Sequence, residues 1–216
     1  MKNKYLIIII LIVCMAAKTL CFASGFTSGP PGSLNNPIID SKLTWNQALI
    51  KKSGLTAPED IIIDQVLLTV LYYSFDNKIH QGQIVIHKDL SADIKMIFTL
   101  ALKEKFPFAS VIPISQFDWD DGKSMKANNT SGFNYRNAAG SKRLSKHAFG
   151  RAVDINPFLN PYIKNNFSLP WGSQYDPDKP GTLTSDSPLV KAFLKSGWIW
   201  GGNWKTIKDY QHFDHD

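Results

Sequence analysis

The sequence predicts a single α+β domain, and three observations carry that expectation. About 190 residues remain once an export leader is set aside, which is the size of one domain with a core of its own. Two β-branched and aromatic runs, 66–75 and 83–87, flank Asp76-Asn77-Lys78 and read as a hairpin. An apolar stripe at helical spacing follows, formed by Leu90, Ile94, Ile97, Phe98 and Ala101, so strand and helix signals occur within one domain-sized chain. No internal repeat is visible.

In chain order, Lys2 and Lys4 precede an apolar run over 6–17. That run suits the core of a signal peptide and is too short for a membrane span of about 20 residues. Cys21-Phe22-Ala23 offers a processing site, so 1–23 is expected to leave as the leader. Val13 and Leu20, which precede the two cysteines, are not the small residues that lipid attachment needs. Cleavage after Ala23 removes both cysteines, leaving a chain without disulfides whose metal ligation cannot use sulfur. It also removes Lys2, Lys4 and Lys18 and no acidic residue, so the formal charge falls from +6 to +3. That mild excess suits an anionic cell wall. With three arginines in all, it gives no reason to invoke nucleic acid.

Residues 24–40, rich in Gly, Pro, Ser and Asn at their start, are expected to form a flexible tether ahead of a domain spanning 41–216. A short helix is expected over 44–52, with Thr44 as its cap and Trp45 and Leu49 on one face. His80 and His87 on the hairpin read as surface or strand-end residues. Ser91 is expected to cap a helix of about fourteen residues that stops at Phe106-Pro107. Residues 111–117 resemble a further strand, and Asp118-Trp119-Asp120-Asp121-Gly122 an acidic turn without the following ligand spacing of a calcium loop. Asn156-Pro157 and Asn160-Pro161 end a strand over 151–155, and 165–187 reads as a long polar loop walling a cleft. Ser187-Pro188 opens a helix that Gly197 closes. Trp198, Trp200 and Trp204, interleaved with glycines, fit either a core or a stacking surface for wall sugar.

The stretch that bears chemistry is Ser145-Lys-His147-Ala-Phe-Gly150-Arg151-Ala-Val-Asp154. All three arginines, Arg136, Arg143 and Arg151, lie in it or just ahead of it. Imidazole and carboxylate are the ligands that a cysteine-free protein offers to Zn²⁺, and a catalytic zinc takes three protein ligands and leaves a fourth position open. The third ligand is sought in Asp209-Tyr-Gln-His212, where an acid stands three residues before a histidine. His215 is an alternative to His212. On a straight strand His147 and Asp154 would point to opposite faces, so Gly150 is expected to turn the chain between them. A histidine near a turn is also often merely hydrogen-bonded, and the spacing alone leaves that reading open.

Ser145-x-His147-x-x-Gly150-x-Ala152-x-Asp154, followed by Trp200-Gly201-Gly202-x-Trp204 and Asp209-x-x-His212, resembles the zinc D-alanyl-D-alanine carboxypeptidase/VanY family of peptidoglycan metallopeptidases. Within that family it is most similar to the L-alanyl-D-glutamate endopeptidase branch. The resemblance extends from about Leu68 to His212. It implies a Hedgehog/DD-peptidase-like fold in which a small antiparallel sheet carries one Zn²⁺ per chain, bound by His147, Asp154 and His212. It further implies that Asp209 is the general base and that Arg136 steadies the oxyanion. The segment 125–137 would line the cleft, with Asn128, Asn129 and Thr130 meeting a peptide backbone. Ser145, Arg151, Asn129 and Trp200 are expected to bind substrate or to support the ligands.

The expected activity is hydrolysis of a stem-peptide bond, L-Ala-D-Glu, by metal-activated water. D-alanyl-D-alanine carboxypeptidase activity and an inactive zinc-containing wall-binding protein stand as alternatives. The expected setting is outside the cytoplasm, periplasmic or at the cell wall, as a monomer acting on peptidoglycan with no membrane span in the mature chain.

Overall fold

The computed structural model describes residues 29–51, 54–55 and 57–216. The expected leader and residues 24–28 lie outside them. The chain is mixed helix and small sheets, as anticipated. Of the stretch read as a tether, however, residues 29–40 are fixed to the domain. Gly32 accepts a hydrogen bond from Ile79 N at 2.8 Å, and Asp40 N donates to the Gln81 carbonyl at 2.9 Å. Between them the short strand β1 (Ile38–Ile39) lies parallel to the hairpin. Composition pointed to a linker, but here the backbone polar groups find partners in a neighbouring strand.

Helix α1 (Trp45–Leu49) starts as anticipated, with a full capping box: the Thr44 side chain accepts from Gln47 N, and the Gln47 side chain reaches back to Thr44 N. It stops at Leu49 rather than running on, because the chain becomes extended in β2 (Ile50–Lys51), which pairs with β3 (Gly54–Leu55). One turn of helix, α2 (Glu59–Ile62), leads to the hairpin.

The hairpin consists of β4 (Gln65–Ser74) and β5 (Ile79–His87), paired without a break from Gln65↔His87 to Tyr73↔Ile79. Asn77 takes a left-handed φ of 63° in the connecting turn, which asparagine tolerates. Both faces of the hairpin are covered. Leu68, Val70, Tyr72, Ile84 and Ile86 enter the main core, while Val85 packs with Ala48, Leu49 and Phe133 on the other side. Two-sided burial also explains why β5 carries so little polar alternation.

Helix α3 (Ser91–Lys103) buries Ile94, Ile97, Phe98 and Ala101, the anticipated stripe, beside Leu90 in the same core. Ser91 is not its cap. A 3₁₀ turn over Lys88–Leu90 precedes the helix, and the His87 ring caps that turn by accepting from Asp89 N. Strand β6 (Pro107–Phe108) joins β4 in parallel. The strand expected over 111–117 is reduced to β7 (Ser110–Val111). Pro113, which lacks an N–H, then starts a 3₁₀ turn over Ile114–Phe117. The acidic stretch is the start of a helix: the Asp120 side chain accepts from Lys123 N and caps α4 (Asp121–Lys126).

Strand β8 (Asn129–Thr130) pairs with β7, and β9 (Ala152–Asp154) follows the motif turn. The loop expected over 165–187 is in part a hairpin, β10 (Tyr162–Lys164) with β11 (Phe167–Leu169), joined by Asn165-Asn166. Asn165 adopts a φ of 53° and makes a two-residue connection possible. The remainder of the loop is pinned. Leu183 is fully buried, and its N–H donates to Asn160 Oδ1 at 2.7 Å. Helix α5 (Pro188–Lys195) has the anticipated first-turn proline, with Gly197 at φ 86° just beyond its end. Then come β12 (Ile199–Trp200), β13 (Lys208–Asp209) and β14 (His212–Asp214).

Besides the two-stranded pairs β2-β3 and β7-β8, the described residues form three larger sheets. They run β1-β5-β4-β6, β12-β14-β9 and β11-β10-β13, with Phe193, Phe213, Val153, Ile155, Trp198 and Trp200 carrying the main core beneath the second. The Phe193 and Phe213 rings stack at 4.0 Å.

Asn156, fully buried just past β9, ties these parts together. Its Oδ1 accepts from Ala109 N at 3.0 Å, and its Nδ2 donates to the carbonyls of Pro107 (2.8 Å) and Gly181 (3.0 Å). Asn156→Ala removes the side-chain partner of Ala109 N and of the Pro107 carbonyl, while Gly181 keeps its bond from Asn160, and each group left without a partner costs about 1–3 kcal/mol. A drop of at least about 2 kcal/mol in unfolding free energy is expected by urea titration. An unchanged midpoint would show that Asn156 is not the tie described.

Candidate functional site

The motif segment folds as its residue types dictate. Ser145 caps a 3₁₀ turn over Lys146–Phe149, its Oγ accepting from His147 N at 3.3 Å. Gly150 ends that turn in the left-handed region at φ 66° and sends the chain into β9. A side chain at Gly150 is excluded by space as well, since its Cβ would lie 1.9 Å from Gln65 Oε1 and 2.7 Å from His87 N. The expected turn at Gly150 is therefore present, with His147 before it and Asp154 on the strand.

Asp154 pairs directly across the sheet with His212 on β14, and the His147 turn lies over both. His147 Nε2 is 3.1 Å from Asp154 Oδ2, His212 Nδ1 is 3.0 Å from Asp154 Oδ1, and the two imidazole nitrogens are 3.3 Å apart. One ligand atom from each residue lies within 4.8 Å of the others. His147 and Asp154 are buried and His212 is partly so. His215, the alternative, turns away: its Nδ1 faces the Asp216 carbonyl and its ring packs on Trp198.

Each histidine is aimed by a partner on its other nitrogen. His147 Nδ1 donates to the Gly132 carbonyl at 2.6 Å, which leaves Nε2 facing the cluster. Gly132 is a glycine because a Cβ there would lie 2.2 Å from the Val85 carbonyl. His212 Nε2 lies 3.2 Å from Asp214 Oδ2, two residues on along the same strand and so on the same face. Asp214 was not anticipated, although the i, i+2 spacing on a strand is the signal that points to it. An imidazole held from behind by a carboxylate or carbonyl is the usual outer support of a metal-ligating histidine. The donor set of two nitrogens and a carboxylate, each facing a common point, fits a borderline divalent cation with an open position.

The charges of the three groups are tightly linked, and a cation would have to displace the His212 proton. Burial alone would raise the Asp154 carboxyl, but the neighbouring His147 and His212 hold it well below the usual carboxylate range. Burial likewise pushes His212 down, and hydrogen bonds to Asp154 and Asp214 overcome this and raise it to about 10. Asp209, on β13, is pushed up to about 6 by burial, with His212 offsetting part of the rise. Gln211 Nε2 donates to Asp209 Oδ1 at 3.2 Å. The two glycines of Trp200-Gly-Gly-x-Trp204 make room for their neighbours. A Cβ at Gly201 would lie 2.5 Å from the Asp209 carbonyl and 2.8 Å from its Cβ, and one at Gly202 would lie 2.3 Å from the Trp200 ring. Trp204, half-buried, stands 5.7 Å from the His212 ring.

Other anticipated residues lie elsewhere. Asn129 is fully buried, and its amide is engaged by Ser110 Oγ, Ser124 Oγ and the Ile112 backbone, so it holds the β7–β8 junction and has no group left for a substrate. Asn128 Oδ1 accepts from Phe158 N and Thr130 Oγ1 from Asn156 N, so these too serve the fold. Trp200 is a core residue, its Nε1 donating to the Tyr210 carbonyl at 2.8 Å, and Trp198 is buried with it. Neither offers a stacking surface. Arg151 binds the Asp216 carbonyl and lies 4.0 Å from Asp89, away from Asp154. Arg136 pairs with Asp121 at 3.0 Å, and its buried Nε has no hydrogen-bond partner among the described residues. Its backbone carbonyl accepts from Ser145 N, which straps the arginine segment to the His147 turn.

Residues 139–215 match a protein family described as D-alanyl-D-alanine carboxypeptidase. The matched stretch contains His147, Asp154, Asp209 and His212; residues 68–138 lie outside it. The peptidoglycan L-alanyl-D-glutamate endopeptidase CwlK of Bacillus subtilis is 35% identical over 71 residues, which is 32% of this chain. The aligned stretch spans 38% of that relative's length. No solved structure matches the chain. The resemblance read from the motifs is thus present in both comparisons.

The Asp214 contact yields a measurable expectation. Asp214→Ala should lower the affinity for zinc by about 10–100-fold, read by competition with a chromophoric chelator. The circular dichroism of the folded chain should be retained. Unchanged affinity would show that His212 is oriented without Asp214.

Proposed function

We propose that this protein is a zinc-dependent peptidoglycan peptidase that hydrolyses the L-Ala-D-Glu bond of stem peptides. The observation that carries the reading is the convergence of His147, Asp154 and His212 within a stretch that matches peptidases of this class, beside an acid whose pKa is raised toward neutrality. When bound, zinc supplies Lewis acidity toward the scissile carbonyl and toward water.

The chain's own residues do the rest. Asp209 takes a proton from the attacking water and passes it to the leaving amine, a task that suits a carboxyl of pKa about 6 better than an ordinary exposed one. Gly201, by admitting the Asp209 backbone so closely, sets where that carboxyl stands. Arg136 supplies positive charge to the developing oxyanion, and Asp121 holds its guanidinium meanwhile. Work on the cell wall places the protein outside the cytoplasm. Among the described residues no helix is long and apolar enough to cross a membrane.

A second reading, D-alanyl-D-alanine carboxypeptidase, is favoured by the description of the matching family. Such an enzyme needs a cation for the substrate's terminal carboxylate. Arg151, one of the chain's three arginines, is engaged with Asp216 and Asp89.

Mass spectrometry of muropeptides digested by the zinc-loaded protein separates the two. Cleavage between L-Ala and D-Glu is expected; free D-alanine as the sole product would overturn it, and no cleavage at all would favour a wall-binding protein without catalysis. Metal analysis of single alanine variants tests the ligands: His147, Asp154 and His212 variants should lose zinc and the His215 variant should keep it. Asp209→Asn should keep zinc while losing roughly 10²-fold or more in activity. Because the base must be ionised, kcat/KM should climb as pH rises and level off above a midpoint at or below about 6, a bound cation lowering the value set by burial. An acid limb that persists in Asp209→Asn would assign the proton transfer to another group.

A further inference from the structure

The sheet that carries Asp209 has one face occupied by its own chain and one that opens to solvent away from Asp209. Tyr162 on β10 pairs with Leu169 on one side and Asp209 on the other, and Lys164 pairs with Phe167. Cross-strand partners share a face, and side chains two apart along a strand return to it. Asp209, Tyr162, Leu169, Lys164 and Phe167 therefore lie on one side. On the opposite side Ser168 Oγ donates to the Ser173 carbonyl, and Lys208 Nζ donates to the Gly202 carbonyl. The Asp209 side is covered at Asp209 itself, by Gly201 and by Gln211 Nε2, and opens toward its far end: Phe167 is 47% exposed, Lys164 is exposed, and among the described residues Lys164 makes no ion pair. An exposed aromatic ring and an unpaired cation on a strand pair leading away from an acid in the candidate site form an amphipathic surface, not a solvated edge.

We propose that this face of the β10–β11 hairpin is a substrate shelf, on which an acidic stem peptide lies with its apolar atoms against Tyr162 and Phe167 and the free carboxylate of its glutamate against Lys164. The proposal rests on the peptidase reading and names which part of the substrate that site recognises. Its occupant follows from two features: the face is continuous with the candidate base, and the free cation complements a carboxylate, which a glutamate residue next to the scissile bond carries. An ammonium held loosely at a half-open face tolerates a range of side-chain positions, unlike a bidentate arginine clamp.

The test uses the zinc-loaded full chain bearing Asp209→Asn, so that the peptide stays uncleaved. Its Kd is measured by calorimetry for an L-Ala-D-Glu-containing stem peptide and for the same peptide with the glutamate carboxylate amidated. The acidic form should bind about tenfold more tightly, the size of one charge-assisted contact at a partly exposed site. Adding Lys164→Ala should erase that preference, and Phe167→Ala should weaken both forms alike. Lys195→Glu, on α5, serves as the control for a general charge effect. A preference that survives Lys164→Ala, or no preference in the starting protein, overturns the shelf. Failure of the two ideas is separable. Lys164-dependent binding without cleavage by the chain that retains Asp209 would leave the shelf standing and refute the peptidase reading, whereas cleavage with no Lys164-dependent preference would do the reverse.

Discussion

The site depends on one cross-strand contact, the placement of the Asp154 carboxylate between the imidazoles of His147 and His212. A carboxylate this far from water is unstable without compensation. Here it has two hydrogen-bonding partners that are themselves held in place, one by a main-chain carbonyl and one by Asp214. The pairing His212↔Asp154 is a register contact of β14 with β9, so the sheet sets that half of the cluster and the 3₁₀ turn of His147 is laid over it. Phe213 and Val153, paired in the same ladder, face the other way into the core. Hydrophobic burial on one face therefore fixes the polar cluster on the other.

Around that contact the chain uses close backbone approach more than bulk. Gly132, Gly150, Gly201 and Gly202 each stand where a Cβ would collide with backbone or ring atoms. Three of these bring a main-chain segment against a residue of the site or its support: the His147 carbonyl partner, the His147 turn and the Asp209 strand. Asn156 and Asn160 perform the complementary task with side-chain amides, capturing the 170–187 segment at Gly181 and Leu183. The loop beside the site is thereby fastened at its far end, and the stack of Tyr175 on Tyr210 at 3.7 Å fastens it again next to Asp209.

What the sequence disclosed follows from where local signals dominate. Capping at Thr44, the stripe of α3, the first-turn proline of α5 and the glycine turn at Gly150 are short-range effects, and all are present. His147 and Asp154 were legible as a pair within one local segment, whereas the resemblance of the motifs joined His212 to them. Signals that need tertiary partners were not legible. The strand expected over 111–117 fails at Pro113, and the tether composition of 29–40 conceals a backbone that pairs with the hairpin. Asn129 and Trp200 carry the residue types of a binding surface, yet burial turns both inward. Asp214 was overlooked because it supports a candidate ligand from behind, a role with no signature until His212 is placed on a strand.

The outer edge of β5 is occupied along its length by four separate segments. Ile79 N donates to Gly32, Asp40 N to Gln81, Phe133 N to Val85, and His87 N to Gly150. The strand thus works as a ruler against which the amino-terminal turn, the Gly132 segment and the motif turn are each set at a fixed mark. A slip of β5 by one residue would invert its faces and would also take the Gly132 segment and the motif turn off their marks, displacing the His147 imidazole without touching a single candidate ligand. Accuracy at the site is in this sense inherited from a hairpin that contributes no atom to it.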